Sequence, residues 1–251
     1  MTRLRSFLTP RWILIHLLVV VLVVVMVNLS FWQFRRLDER QAFNDQVRAN
    51  ATAAPVSLDE LLADLPDKEP KSLDEIEWRN VIVTGTFRPA DEVIVLNRSQ
   101  NGAAGVDPLT PLDTEVDGTP HVLMVDRGFV PLSVEVPTPP AGEIELLGRV
   151  RLSQERRLGG LTDPAEGTLT EVQRIDVERL REQMAASPDQ VVLPFYVDLL
   201  ESPDITAEIP TPVANPDLSE GSHLSYAIQW LIFGACAALA WVFLVRRALR
   251  R

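Results

Sequence analysis

Two stretches of the chain hold no charged residue. Trp12 to Phe31 reads WILIHLLVVVLVVVMVNLSF, and Tyr226 to Val245 reads YAIQWLIFGACAALAWVFLV. Each is about 20 residues long, which at a rise of about 1.5 Å per residue matches the roughly 30 Å hydrocarbon core of a bilayer. Aromatic residues stand at the ends of both runs: Trp12, Phe31 and Trp32 on the first, Tyr226 and Trp230 on the second. Rings of this kind anchor a span at headgroup depth. The pattern predicts transmembrane helices over 12–32 and 226–245. A buried core helix is the competing reading, and charge-free runs of this length at both ends of the sequence disfavour it.

Between the spans the texture changes. Arg35 to Asn50 reads as a mostly polar helix continuing out of the first span. Ser57 followed by Glu60 resembles a capping box opening a short helix, Leu58 to Leu65, and Pro66 to Lys71 reads as a loop. Alternation of apolar and polar residues then predicts strands over Trp78–Phe87, Glu92–Asn97, Val122–Val130, Glu143–Leu152, Leu169–Ile175 and Val191–Leu200. In the first of these, Val81, Val83 and Gly85 share a face; in the last, Pro194 marks an edge or a bulge. One helix interrupts them, Asp176 to Ala186, capped by Asp176 and stopped by Pro188. The expected fold is an α+β membrane protein. Two terminal transmembrane helices flank a mainly antiparallel, open barrel-like β domain over 33–225, with short tails at 1–11 and 246–251.

Charge sets the expected orientation. Arg3, Arg5 and Arg11 precede the first span, and Arg246, Arg247, Arg250 and Arg251 follow the second, with no acid in either tail. Acid-free basic flanks stay in the cytoplasm, so both termini are expected there and the central domain outside. Arg35, Arg36 and Arg40 argue the other way, but Asp38 and Glu39 are interleaved with them. Those seven tail arginines leave 17 of the 24 basic residues to face all 35 acidic ones, a formal charge of −18 on the middle of the chain. Such a domain is a poor nucleic-acid binder. The single cysteine, Cys236, lies in the second span, so the outer domain has no disulfide and no thiolate chemistry. The first run lacks a small-x-small cleavage site, and an uncleaved anchor is expected. The short tail before it points to a bacterial plasma (inner) membrane.

Catalytic chemistry is sparse. The sequence has no Gly-rich phosphate loop, HExxH, GxSxG or CxxC. Of three histidines, His16 lies in the first span, His121 opens a predicted strand, and His223 stands just before the second span. Ionisable residues in or at the bilayer are functional candidates. His16 and His223 fall near opposite faces of it, on the order of 20 Å apart, so one chain cannot clamp a single metal between them. His223, with Tyr226 and Trp230 nearby, is the better candidate for a haem iron; helix capping or a bond to a carbonyl is the plainer reading. Asn97-Arg98 and Asp126-Arg127-Gly128 end strands and read as structural. Trp32, Gln33 and Arg36 lie within about a turn of one another at the outer boundary, as membrane anchors or as a face for docking another membrane helix.

The motifs in their order resemble the SURF1 (Shy1) family of cytochrome c oxidase assembly factors. The matching pieces are Phe31-Trp32-Gln33-Phe34-Arg35-Arg36-Leu37, Trp78-Arg79 and Val83-Thr84-Gly85-Thr86-Phe87. Val95-Leu96-Asn97-Arg98 with Gly102 and Gly105, Pro111-Leu112, and Val125-Asp126-Arg127-Gly128-Phe129-Val130-Pro131 follow. Gly148-Arg149-Val150-Arg151 and His223-Leu224-Ser225-Tyr226-Ala227-Ile228-Gln229-Trp230 complete the set. Gln229 departs from the threonine that many members carry. The resemblance implies a non-enzymatic helper that acts while haem a is placed in the catalytic subunit. Its partners would be cytochrome c oxidase subunit I, the haem a synthesis machinery and the lipid bilayer. His223 would be the haem a ligand, with haem a held transiently and no other cofactor. Two other classes stay open: an extracytoplasmic sensor or scaffold for another membrane complex, and a membrane enzyme working through His121.

Overall fold

The structure is a computed structural model and describes residues 9–63, 70–154, 159–185, 187 and 190–250. It falls into two compact units, one formed by Met1–Asp45 with Asp217–Arg251 and the other by Gln46–Pro216.

The first unit is a helix pair. Helix α1 (Pro10–Thr52) is a single helix of 43 residues whose last turns, from Gln46, belong to the second unit. The polar helix expected over 35–50 is therefore the same helix as the first span. Its partner, the last helix of the chain, runs His223–Arg250. Both are long and apolar enough to cross a membrane. Leu14, Leu17, Leu18, Val20 and Val21 on one, and Ile232, Leu239 and Phe243 on the other, are left exposed. A surface of this kind is stable against lipid rather than water, and marks a membrane protein.

The second unit is a β barrel. Its strands are β1 (Val56–Ser57), β2 (Asn80–Phe87), β3 (Val93–Gln100), β4 (Ala103–Val116), β5 (Thr119–Asp126), β6 (Val130–Pro131), β7 (Glu143–Leu152), β8 (Glu171–Val172) and β9 (Val191–Glu201). Short helices α2 (Leu58–Ala63), α3 (Pro70–Ile76) and α4 (Val177–Met184) decorate it, and His223–Arg250 is α5. β2 pairs antiparallel with β7, β7 with β9, and β4 with β5, while β5 and β9 run parallel. The expected barrel is present, and it closes: Thr86 and Phe87 of β2 pair with Asp113 and Leu112 of β4. Five strands thus form a ring with no free edge.

Alternation decides what fills it. In β2 the residues Val81, Val83, Gly85 and Phe87 are buried while Ile82, Thr84 and Thr86 are exposed. The inward set joins Leu112, Leu123, Val125, Ile144, Leu146, Phe195 and Val197 in the barrel interior. The opposite face of β3, β4, β5 and β9 supplies Val95, Leu109, Met124 and Tyr196 to a second core, closed by Val177, Leu180 and Met184 of α4. Asp176 caps α4, its carboxylate accepting from the Arg179 N–H at 3.1 Å. Ser57 opens α2 the same way, accepting from Glu60 at 3.2 Å.

Several elements differ from the sequence reading. The longest strand, β4, is absent from it because Pro108 and Pro111 interrupt the alternation. Both prolines sit where one neighbour ends. Pairing with β5 begins at Leu109, and pairing with β3 stops at Leu109 before that with β2 starts at Leu112. On that side no N–H is needed, and only their carbonyls are used, by Arg127 and Arg88. The strand expected over 122–130 breaks after Asp126, because Gly128 turns at φ +107° and an added Cβ would lie 2.3 Å from the Thr211 carbonyl oxygen. Of 169–175 only Glu171–Val172 pairs as strand. Pro194 lies at a bulge, where the register of β9 with β5 shifts, and its β7 side is unpaired, since β7 pairs with β9 only from Phe195 onward. Pro70 and Lys71 begin α3 instead of ending a loop; residues 66–69, the end of the helix expected to Leu65, and Pro188 lie outside the described residues.

Candidate functional site

The helix pair is held by polar residues on one face of α1. Ser30, Gln33, Leu37, Arg40 and Asn44 recur at intervals of three and four, which places them in one stripe. Ser30 Oγ donates to the Ala227 carbonyl at 2.9 Å, and Asn44 Nδ2 to that of Leu218 at 2.8 Å. Arg40 donates to the carbonyls of Asp217 and Ser219. Nearer the other end, Trp241 Nε1 donates to His16 Nδ1 at 2.9 Å, and Met26 lies against Gly234. Partners ascend on α1 as they descend on α5, so the two helices are antiparallel. Small residues at the contact, Ser30, Ala227 and Gly234, let the backbones approach.

His223 opens α5 directly after Gly221 and Ser222. Its Nδ1 faces Gln33 Oε1 at 2.9 Å. With the Gln33 carbonyl oxygen as acceptor, Nδ1 of the neutral ring is the donor and Nε2 holds the lone pair. Gly221 stands beside that nitrogen with φ +67°; a Cβ added there would come within 3.7 Å of Nε2. The approach to Nε2 is thus bordered by a residue without a side chain. Tyr226 and Trp230 follow His223 at i+3 and i+7 on the same face of α5. Tyr226 is exposed, and Trp230 packs edge-on against Phe233 with centroids 6.0 Å apart.

The remaining expected residues divide clearly. Gln33 is buried against His223, whereas Trp32 is exposed and Arg36 is exposed and paired with Glu39 at 2.7 Å. His16 and His223 are not brought together: Gln33 is 17 residues along α1 from His16, roughly 25 Å by the helix rise. His121 holds the Thr119 carbonyl with Nδ1 at 2.8 Å, next to the aliphatic side chains of Val191 and Leu193.

The barrel carries a second polar assembly, of which the sequence singles out only Asn97-Arg98 and Asp126-Arg127-Gly128, as strand-end structure. Asp126 on β5 is the register partner of Asp198 on β9, and Asp198 that of Arg149 on β7. Arg149 donates to Asp198 Oδ2 through Nε and Nη2, at 3.1 and 2.7 Å, and reaches Asn215 at 2.6 Å. Arg151 meets the same oxygen at 3.4 Å and lies 3.9 Å above the Trp78 ring. Arg98 pairs with Asp107 at 3.1 Å. Arg127 is buried on Glu92, Thr110 and the Pro137 carbonyl. Burial pushes the Asp126 carboxyl well above its usual range, reinforced by the charges of Asp107 and Asp198. Burial likewise raises the Tyr196 phenol, whose hydroxyl meets Gln154 at 2.9 Å. The signal in the sequence was the arginines at strand positions, each of which needs a buried acid.

Trp78, Arg98, Asp126, Arg127, Arg149, Arg151 and His223 are among the motif residues quoted above, and comparison with known proteins agrees with them. The profile of the SURF1 family matches residues 20–235. An uncharacterized SURF1-like protein of Mycobacterium tuberculosis is 29% identical over 246 residues, covering 95% of this chain and 85% of its own. A SURF1-like protein of Rickettsia felis is 24% identical over 242 residues, covering 92% and 96%. Surfeit locus protein 1 of Takifugu rubripes is 24% identical over 246 residues, covering 87% and 91%. A match that takes in part of each apolar helix, the whole barrel and the segment leading to His223 leaves one assignment: this chain belongs to the SURF1 family.

Proposed function

We propose that the chain is a non-enzymatic assembly factor for haem-copper cytochrome c oxidase, assisting placement of haem a in the catalytic subunit. The observation that carries the reading is His223, held at Nδ1 by Gln33 with Nε2 left as the lone-pair nitrogen beside Gly221. Metal-bound histidines are oriented in this way, by a hydrogen bond to the other ring nitrogen. Haem a, if bound, would supply an iron that His223 could ligate through Nε2. Gln33 fixes the ring's rotation and tautomer; Leu224 and Tyr226 present exposed apolar surface next to it. Trp32 and Arg36, outside the helix contact, are the surface offered to a membrane helix of oxidase subunit I or of the haem a synthesis machinery.

In this reading both basic tails are cytoplasmic and the acidic barrel lies outside a plasma (inner) membrane. His223 is then at the outer face, towards which the resemblance places haem a. The test is the optical spectrum of detergent-purified protein made alongside haem a synthesis, for wild type, His223→Ala and Gln33→Leu. A haem a signal that His223→Ala removes and Gln33→Leu weakens about 10- to 100-fold is expected. Equal signals in all three would refute the assignment of His223. Oxidase haem content unchanged on loss of the gene would refute the assembly role itself.

A further inference from the structure

The outer wall of the barrel holds a cavity of about 440 Å3 whose lining includes Asp107, Asp126, Asp198, Tyr196 and Phe129. The three acids form a row across neighbouring strands. Asp126 and Asp198 are register partners, and Asp107 stands two residues before Leu109, the partner of Asp126 on β4. Their partners are unequal. Asp198 is neutralised by Arg149 and Arg151. Asp107 has Arg98 on Oδ2 alone; its side chain is only 7% exposed, and Oδ1 is buried without a hydrogen-bond partner. Asp126 accepts from the Gly128 N–H at 3.0 Å, and among the described residues no basic side chain pairs with it.

Asp107 Oδ1 can accept a further donor. The guanidinium groups at the rim are charge-paired, Arg98 Nε facing Asp107 at 3.1 Å and Arg151 Nε facing Glu77 at 3.5 Å, although neither Nε makes a hydrogen bond. With both guanidinium charges already paired, the buried carboxylates keep unused acceptor capacity, beside the rings of Phe129 and Tyr196. Leaving a buried carboxylate oxygen without a donor is unfavourable, and a ligand N–H would recover that cost. Among the described residues no three His, Cys, Asp or Glu side chains are placed to share one metal ion, so the acids are too dispersed for that occupant. We propose that this cavity binds a small organic cation with N–H donors, such as an alkylammonium, donating to Asp107 Oδ1 and Asp126 with its carbon chain against Phe129 and Tyr196.

The electrostatics agree. Burial pushes Asp107 up to about 6, with Arg98 opposing and Asp198 adding to the shift, and burial raises Asp126 further with Asp107 and Asp198. The groups facing them are Arg98 from β3, Arg149 and Arg151 from β7, and Tyr196 and Asp198 from β9. Protons occupy sites that a cation would take, so binding releases protons near pH 6 and tightens as pH rises.

The test uses the full chain in a neutral detergent, titrated calorimetrically with butylammonium and putrescine. Tetramethylammonium, with charge but no N–H, and 1-butanol, with no charge, are the controls. Butylammonium should bind at least about tenfold more tightly than either control, with proton release shown by buffers of different ionisation enthalpy. Asp107→Asn should weaken it by about tenfold or more, as loss of a charge-assisted hydrogen bond does. Arg98→Gln, which removes the competing cation, should tighten it; this direction distinguishes binding from mere structural support if Asp107→Asn fails to fold. No butylammonium binding, equal binding of tetramethylammonium, or weaker binding in Arg98→Gln would each overturn the proposal.

Discussion

Asp198 neutralises two arginines of the barrel wall, the buried Arg149 and the partly exposed Arg151. Arg149 and Asp198 have side chains 3% and 2% exposed, and Arg149 sends two N–H groups to one carboxylate oxygen, at 3.1 and 2.7 Å. Replacing Asp198 by Ala leaves Arg149 buried and Arg151 with Glu77 alone at 3.5 Å. Breaking a buried pair from one side costs about 3–5 kcal/mol, because the stranded charge keeps its desolvation penalty. For a domain the size of Gln46–Pro216, about 2–4 °C of Tm is lost per kcal/mol, so Asp198→Ala should fall by roughly 6–20 °C. Removing both charges with apolar replacements, Arg149→Met with Asp198→Leu, should recover most of that loss, since neither charge is then stranded. The assay is thermal unfolding of the full chain in neutral detergent, followed by circular dichroism and tryptophan fluorescence. A single variant that loses less than about 2 °C, or a double variant worse than both singles, would refute the reasoning.

Three further outcomes follow from particular contacts. Gly128→Ala should destabilise the barrel by at least about 2 kcal/mol, because φ +107° and a Thr211 oxygen 2.3 Å from the new Cβ both oppose it; a Tm within 2 °C or so of wild type would contradict this. The folded-state value of Asp107, near 6, lies above the unfolded 3.8, so the native state holds the extra proton and stability from this group falls as pH rises between those values. Wild type should therefore lose stability relative to Asp107→Asn from about pH 4 to 7 in unfolding scans, and a constant difference would count against it. In a Cys236→Ser background, Met26→Cys with Gly234→Cys should form an intrachain disulfide on mild oxidation. The two Cβ positions lie 3.7 Å apart, close to disulfide geometry, and no reducible gel shift would sink the antiparallel pairing.

What the sequence determined by itself is local and periodic. The two spans are legible because every residue facing lipid must be apolar, whatever the neighbouring helix does. β7 was read with its true limits, Glu143–Leu152, and the buried face of β2 as Val81, Val83 and Gly85, because alternation is set residue by residue along one strand. Asp176 and Ser57 announced their helices because a cap acts within one turn.

The tertiary structure decided whatever depends on distant partners. β4 is a strand in spite of two prolines because its neighbours happen to end at those positions, which no local pattern encodes. Gln33 looked like part of a boundary motif shared with Trp32 and Arg36; only the register of α1 on α5, 190 residues on, turns it inward to His223. Asp126 and Asp198 were separate strand residues until the parallel pairing of β5 with β9 set them side by side. Register is a relation between segments, fixed by how both bury their apolar faces, so the sites it assembles emerge only when the chain has closed on itself.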